Sequence, residues 1–135
     1  MTRQYPMAAK GLSPFRELVG VTFTKVDEGY SLCYLEVDKK LLNPAGIMHG
    51  GAVYTLADSG MGVALYSFVG EGELFVTIET SIFYFKAVSS GTLICESKIV
   101  HKGKRIAVME AEIRNGGQLV AKAMGTFSIH KGKKV

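Results

Sequence analysis

Two hydrophobic periods alternate along the chain, and the switches between them outline the fold. A period of two, built on β-branched and aromatic residues, marks strands, whereas a period of three to four marks a helix. Val21 to Val26 and Tyr30 to Val37 read as two strands joined by the turn Asp27-Glu28-Gly29. Leu74 to Phe85, Thr92 to Val100, Arg105 to Ile113 and Leu119 to Ile129 read as four more. Ser89-Ser90-Gly91, Lys102-Gly103-Lys104 and Asn115-Gly116-Gly117 supply the turns between them. The period lengthens from Gly50 to about Phe68. There Ala52, Leu56, Val63 and Ser67 share one side, with Val53, Ala57, Met61, Ala64 and Phe68 beside them. This segment is predicted to be the one long helix, ended by Gly70-Glu71-Gly72. Ser13-Pro14 reads as the start of a short helix that Gly20 closes.

Short helix, two strands, long helix, four strands: this order predicts an α+β fold, an antiparallel sheet wrapped around one central helix. Residues 1–13 read as a loose N-terminal arm, 14–130 as a single domain and 131–135 as a basic tail. The long helix carries Gly51, Gly60 and Gly62. Glycine is costly inside a helix, so close packing against a sheet or a second helix is expected there.

Composition narrows the class. At 135 residues, 47% apolar and 21% charged, the chain fits one folded domain and excludes disordered, collagen-like and coiled-coil proteins. The apolar share is high for so small a monomer, which points to surface covered by another subunit. Cys33 and Cys95 lie in apolar runs and read as buried reduced thiols. The polar, proline-broken start has no signal-peptide pattern, and no apolar run nears the ~20 residues that span a membrane. A cytoplasmic protein is expected. Residues 98–135 hold nine Lys/Arg against two Glu, while residues 1–97 hold seven against ten acids. The basic part would suit an anionic partner, but no nucleic-acid motif accompanies it. Neither nucleic acid nor membrane is expected as a partner.

The chemistry concentrates in Asn43-Pro44-Ala45-Gly46-Ile47-Met48-His49-Gly50-Gly51 and Leu56-Ala57-Asp58. His-Gly-Gly opens the long helix, where backbone N–H groups are free and carry partial positive charge. Such donors polarise a carbonyl and hold the oxyanion formed when it is attacked. Asp58 is an acid in an apolar helix, an environment that calls for a partner or a task. Eight helical residues at ~1.5 Å each put Asp58 roughly 12 Å from Gly50. One acyl carbonyl cannot touch both, so joint action requires two chains related by a two-fold axis. The three histidines are scattered, which argues against a metal site, and no cofactor is expected.

Asn43 through Asp58, N-x(5)-H-G-G-x(4)-L-A-D, resembles the hotdog-fold acyl-CoA thioesterases of the PaaI type. The likeness runs from about Phe15 to His130 and includes the ending Ala121-Lys122-Ala123-Met124-Gly125-Thr126-Phe127. It implies hydrolysis of acyl-CoA to free acid and CoA by a homodimer, often paired into a homotetramer. Residue by residue, Asp58 matches the general base or nucleophile and Gly50 the oxyanion donor. Asn43 matches the residue that positions thioester or water, and His49 a supporting motif residue. Thr77 matches a Ser/Thr that helps hold the water. Gly51, Lys86, Lys102, Lys104 and Arg105 are the candidate substrate contacts, the basic ones through CoA phosphates. Tyr54, Met61, Phe83 and Tyr84 are candidate walls of the acyl pocket. A hotdog hydratase or dehydratase and a non-catalytic acyl-CoA-binding module are the alternatives.

Overall fold

The sheet is continuous and antiparallel, with six strands in the order β1-β2-β4-β5-β6-β3. The computed structural model describes residues 3–7 and 9–132, so the last three residues of the expected basic tail lie outside the described residues. β1 (Thr22–Asp27) and β2 (Tyr30–Glu36) form the first hairpin. Its turn places Glu28 and Gly29 at positive φ. β3 (Glu73–Tyr84), β4 (Thr92–Lys102), β5 (Ile106–Asn115) and β6 (Gln118–Lys131) follow the long helix. β5 and β6 meet through Gly116 and Gly117, both at positive φ, with Asn115 paired to Gln118. That is a two-residue turn of the kind that glycine makes without strain. The observed strands match the predicted ones to within one or two residues.

The long helix, α2 (Gly50–Tyr66), lies against the concave face of the sheet. Leu56, Ala57, Met61, Ala64 and Leu65 are fully buried there against Cys33, Leu93, Cys95, Met109 and Phe127. The helix stops at Ser67, earlier than expected, and Phe68 lies 43% exposed rather than on the buried face. The expected close packing occurs at Gly60. A Cβ there would lie 2.5 Å from Ser97 Oγ and 3.1 Å from Cys95 Sγ, so only glycine lets the helix sit this near β4. Gly62, in contrast, faces open space. Strand order also brings Cys33 and Cys95 opposite one another on β2 and β4, both buried and reduced.

The short helix α1 (Pro14–Val19) has Pro at its start, but the Ser13 side chain does not cap it. Glu17 instead reaches back to accept from the N–H groups of Gly11 and Ser13, just before the helix. Residues 3–7 of the arm before α1 are tied to the fold, where a loose arm was expected. Arg3 donates its backbone N–H to Ser67 O at 3.0 Å and its guanidinium to Gly70 and Glu73 carbonyls. The Tyr5 ring packs on Phe23 and Tyr66. Two aromatic contacts and a guanidinium clamp outweigh the polar, proline-containing character that made the arm read as loose.

β3 closes one edge of the sheet, and its outer side is mixed, with exposed apolar residues on either side of the polar pair Glu79 and Ser81. Val76 is 49% exposed, Ile78 55% and Phe83 66%. An uncovered edge strand with exposed apolar residues is a site for pairing with another chain. No helix among the described residues is long and apolar enough to cross a membrane.

Candidate active site

α2 begins where the loop after β2 is pinned beneath it. Asn43 organises that loop: its Oδ1 accepts from the N–H groups of Ala45 (2.9 Å) and Ile47 (3.3 Å), an Asx turn. The amide Nδ2 of Asn43 is thereby left for other work. His49 caps the helix, its Nδ1 accepting from Gly51 N–H at 2.8 Å. This bond sorts the two glycines. The Gly51 N–H is committed to His49, so Gly51 does not offer the substrate a backbone donor, whereas the Gly50 N–H has no acceptor among the described residues.

Tyr84, at the end of β3, fixes Gly50 in place. Its hydroxyl donates to Gly50 O at 2.9 Å, and its ring packs where a Gly50 Cβ would sit, with the hydroxyl 3.3 Å from that point. A cavity of about 300 Å³ opens beside the helix start and is lined by Asn43, Gly50, Tyr84 and Lys86. Lys86 Nζ donates to Gln118 Oε1 at 3.0 Å.

Asp58 lies two turns further along, on the flank of α2 that faces the edge strand β3. Its Oδ1 accepts from Thr77 Oγ1 at 3.3 Å. A bulge in β3 falls directly after Thr77, between Thr77 and Glu79, the type of irregularity that re-aims a strand side chain. Burial pushes the Asp58 carboxyl above its ordinary range, against the opposing pull of the Thr77 hydrogen bond and the Arg16 charge. Asp58 and Thr77 share a cavity of about 480 Å³ with Tyr54, Gly62, Tyr66 and Arg16.

The structure thus brings the site residues together as two groups rather than one: Asn43, His49, Gly50 and Lys86 at the helix start, Asp58 and Thr77 at its middle. Lys102, Lys104 and Arg105 lie with Lys131 around a third, open depression at the β4–β5 turn. Tyr54 lines the Asp58 cavity as expected. Met61 does not: it is fully buried under the sheet, against the Cβ position of Gly125. Phe83 stacks on Phe85 at the sheet edge instead. The sequence reading missed Tyr5 and Arg16 on the cavity wall and assigned Tyr84 only to the pocket. For these, an aromatic and an arginine in the arm and first helix were the available signal.

A six-stranded antiparallel sheet wrapped around one long helix is the hotdog fold. The chain belongs to the thioesterase superfamily, whose family model matches residues 45–122. A protein of Archaeoglobus fulgidus is 37% identical over 82% of this chain and 71% of its own length. The 1,4-dihydroxy-2-naphthoyl-CoA hydrolase of Listeria monocytogenes is 23% identical over 88% of this chain and 98% of its own. Among solved structures, the conserved protein PA5202 of Pseudomonas aeruginosa superposes with a TM-score of 0.85 at 39% identity, covering 88% of this chain and 95% of that one. A mutant of the phenylacetic acid degradation protein PaaI from Thermus thermophilus superposes at 0.80 with 28% identity, covering 86% and 98%.

Proposed function

We propose that the protein hydrolyses acyl-CoA thioesters and that each active site is built by two copies of the chain. The observation that carries this reading is the separation of the two groups on α2, each chemically incomplete. The Gly50 N–H has an oxyanion donor's character and no acid beside it. Asp58 has a base's character and no free backbone donor beside it. A two-fold axis that pairs the exposed β3 edges antiparallel would set the start of one α2 against the middle of the other. The unpaired edge of β3 and its exposed Val76, Ile78 and Phe83 support that pairing. The expectation of further pairing into a tetramer is kept as part of this reading.

In the proposed reaction the partner's Gly50 N–H receives the thioester carbonyl oxygen, and Asn43 Nδ2 helps to orient the thioester or the water. Thr77 holds one oxygen of Asp58, leaving the other to take a proton from water as it attacks the carbonyl carbon. The raised affinity of Asp58 for protons makes it the better base. The C–S bond then breaks, the proton passes from Asp58 to the departing thiolate, and free acid and CoA leave. Lys102, Lys104 and Arg105, with Lys86 at the helix start, supply positive charge for the CoA phosphates. The Listeria relative's naphthoyl-CoA substrate supports a CoA thioester. An aqueous, cytoplasmic setting suits such a substrate.

The test is CoA release across an acyl-CoA panel by wild type and Asp58→Ala. Hydrolysis by wild type and its loss in the variant are expected. Equal hydrolysis by both would overturn the role of Asp58. Tight acyl-CoA binding without hydrolysis would support a binding module instead, and hydration of an enoyl-CoA a hydratase.

A further inference from the structure

The Asp58 cavity contains a second charge, Arg16, whose field reaches Asp58 but which forms no ion pair among the described residues. Arg16, on α1, lines the same wall as Tyr5 and faces the cavity with Asp58. Its guanidinium carbon lies 5.5 Å from the centre of the Tyr5 ring and 5.3 Å from that of Phe23, and Nη1 donates to the Tyr5 hydroxyl. No carboxylate comes within ion-pair distance of it among the described residues. Arg114 makes the contrast, lying 3.2 Å from Glu112. Aromatic faces hold a guanidinium in place without neutralising it, and they leave its in-plane N–H groups for oxygen acceptors.

The rest of the wall makes this charge stand out. Tyr54, Tyr66, Phe75, Val63 and Phe127 supply aromatic and aliphatic surface. Asp58 shares this wall but is hydrogen-bonded to Thr77 and makes no ion pair with Arg16, so the guanidinium keeps N–H groups for an incoming group that brings its own counter-charge. Gly62 leaves the cavity floor open, and about 480 Å³ accommodates an acyl chain of several carbons.

We propose that the acyl group hydrolysed here ends in a carboxylate and that Arg16 binds it within the Asp58 cavity. The substrate class is then the half-thioester of a dicarboxylic acid, its thioester carbon at Asp58 and its free carboxylate paired with the guanidinium. This rests on the acyl-CoA hydrolase reading and deepens it. Arg16 lies outside residues 45–122, the part that matches the thioesterase family model, so this recognition belongs to the arm and α1 of this chain. A planar guanidinium fits a carboxylate through two parallel hydrogen bonds, which lysine does not reproduce.

The experiment compares adipoyl-CoA with hexanoyl-CoA, equal in carbon number, on wild type, Arg16→Gln and Arg16→Lys. Wild type is expected to favour adipoyl-CoA in kcat/KM by about tenfold or more, the value of a hydrogen bond to a charged group. The ratio should collapse to about one or below in Arg16→Gln and recover only in part in Arg16→Lys. A wild-type preference for hexanoyl-CoA, or equal losses on both substrates in Arg16→Gln, overturns the proposal. If Arg16→Gln fails to fold, the wild-type ratio alone decides. Hydrolysis of hexanoyl-CoA without adipoyl-CoA defeats this inference and leaves the hydrolase reading standing. No hydrolysis of any acyl-CoA defeats both.

Discussion

The start and the middle of α2 are built from opposite materials. At the start, function is written in the backbone: Asn43 shapes the loop, His49 caps the helix, Tyr84 holds the Gly50 carbonyl, and one N–H is left over. At the middle, function is written in side chains: Asp58 is half-buried in an aromatic cavity and touched by Thr77. The first region offers a donor without a base, the second a base without a donor. A helix cannot bring its own first turn to its third, so the difference teaches that neither region acts on a thioester within one chain.

The sharpest way to break the comparison is at the middle. Asp58→Asn is expected to lower kcat by about 10²–10⁴-fold, the usual reach of general-base catalysis. The same change is expected to raise Tm at pH 7. Folding raises the proton affinity of Asp58, so the ionised form is less favourable in the folded than in the unfolded state. That penalty is absent where both states are protonated and develops as pH rises through the carboxyl range. The Tm gap between variant and wild type should therefore close as pH falls through that range, as melting curves over pH will show. The acid limb of kcat/KM should lie above the ordinary Asp range for the same reason.

The next effect concerns the start. Gly50→Pro deletes the one free N–H at a helix position that accepts proline, and its Cβ requires a small shift of the Tyr84 ring, whose separate effect the Tyr84→Phe variant measures. His49 already has the extended backbone, φ −60° and ψ 134°, that a following proline requires. A loss of about 10²–10³ in kcat is expected, the cost of removing an oxyanion donor, with circular dichroism unchanged. Tyr84→Phe removes only the hydroxyl that holds Gly50. About a tenfold fall in kcat with little change in KM is expected, because the donor loosens while the substrate contacts remain. The smallest effect is at the cap. His49→Ala should lower stability by about 1 kcal/mol and His49→Asn by much less, since Asn also caps; denaturant titration measures both.

Much of this was legible in the sequence. The long helix declared itself because a period near 3.6 runs from Gly50 onward, despite the glycines it carries. The strands declared themselves through β-branched runs and glycine turns. Asn43, His49, Gly50 and Asp58 were legible because they lie close together in the chain, where spacing constrains geometry. What stayed hidden depends on long-range packing. Tyr5 lines the Asp58 cavity from an arm that Arg3 ties to Ser67, Gly70 and Glu73, and Arg16 lines it from α1, placements that no local pattern encodes. Met61 read as a pocket residue because periodicity defines a helix face without saying which face meets the sheet. Gly51 read as a substrate contact because nothing in the sequence shows that the His49 side chain takes its N–H. The Cys33–Cys95 pairing was invisible because the helix and β3 intervene between adjacent strands.

The central claim is that one chain's Gly50 works with another chain's Asp58. It is tested by mixing Gly50→Pro and Asp58→Ala, refolded or coexpressed together, and measuring acyl-CoA hydrolysis. In a mixed dimer one site pairs the intact Gly50 of the Asp58→Ala chain with the intact Asp58 of the Gly50→Pro chain, and the other site carries both defects. Random association makes half of the dimers mixed, each with one of two sites intact, so the account predicts recovery to about a quarter of wild-type activity. A mixture no more active than either parent would show that both groups act within one chain and would contradict the account.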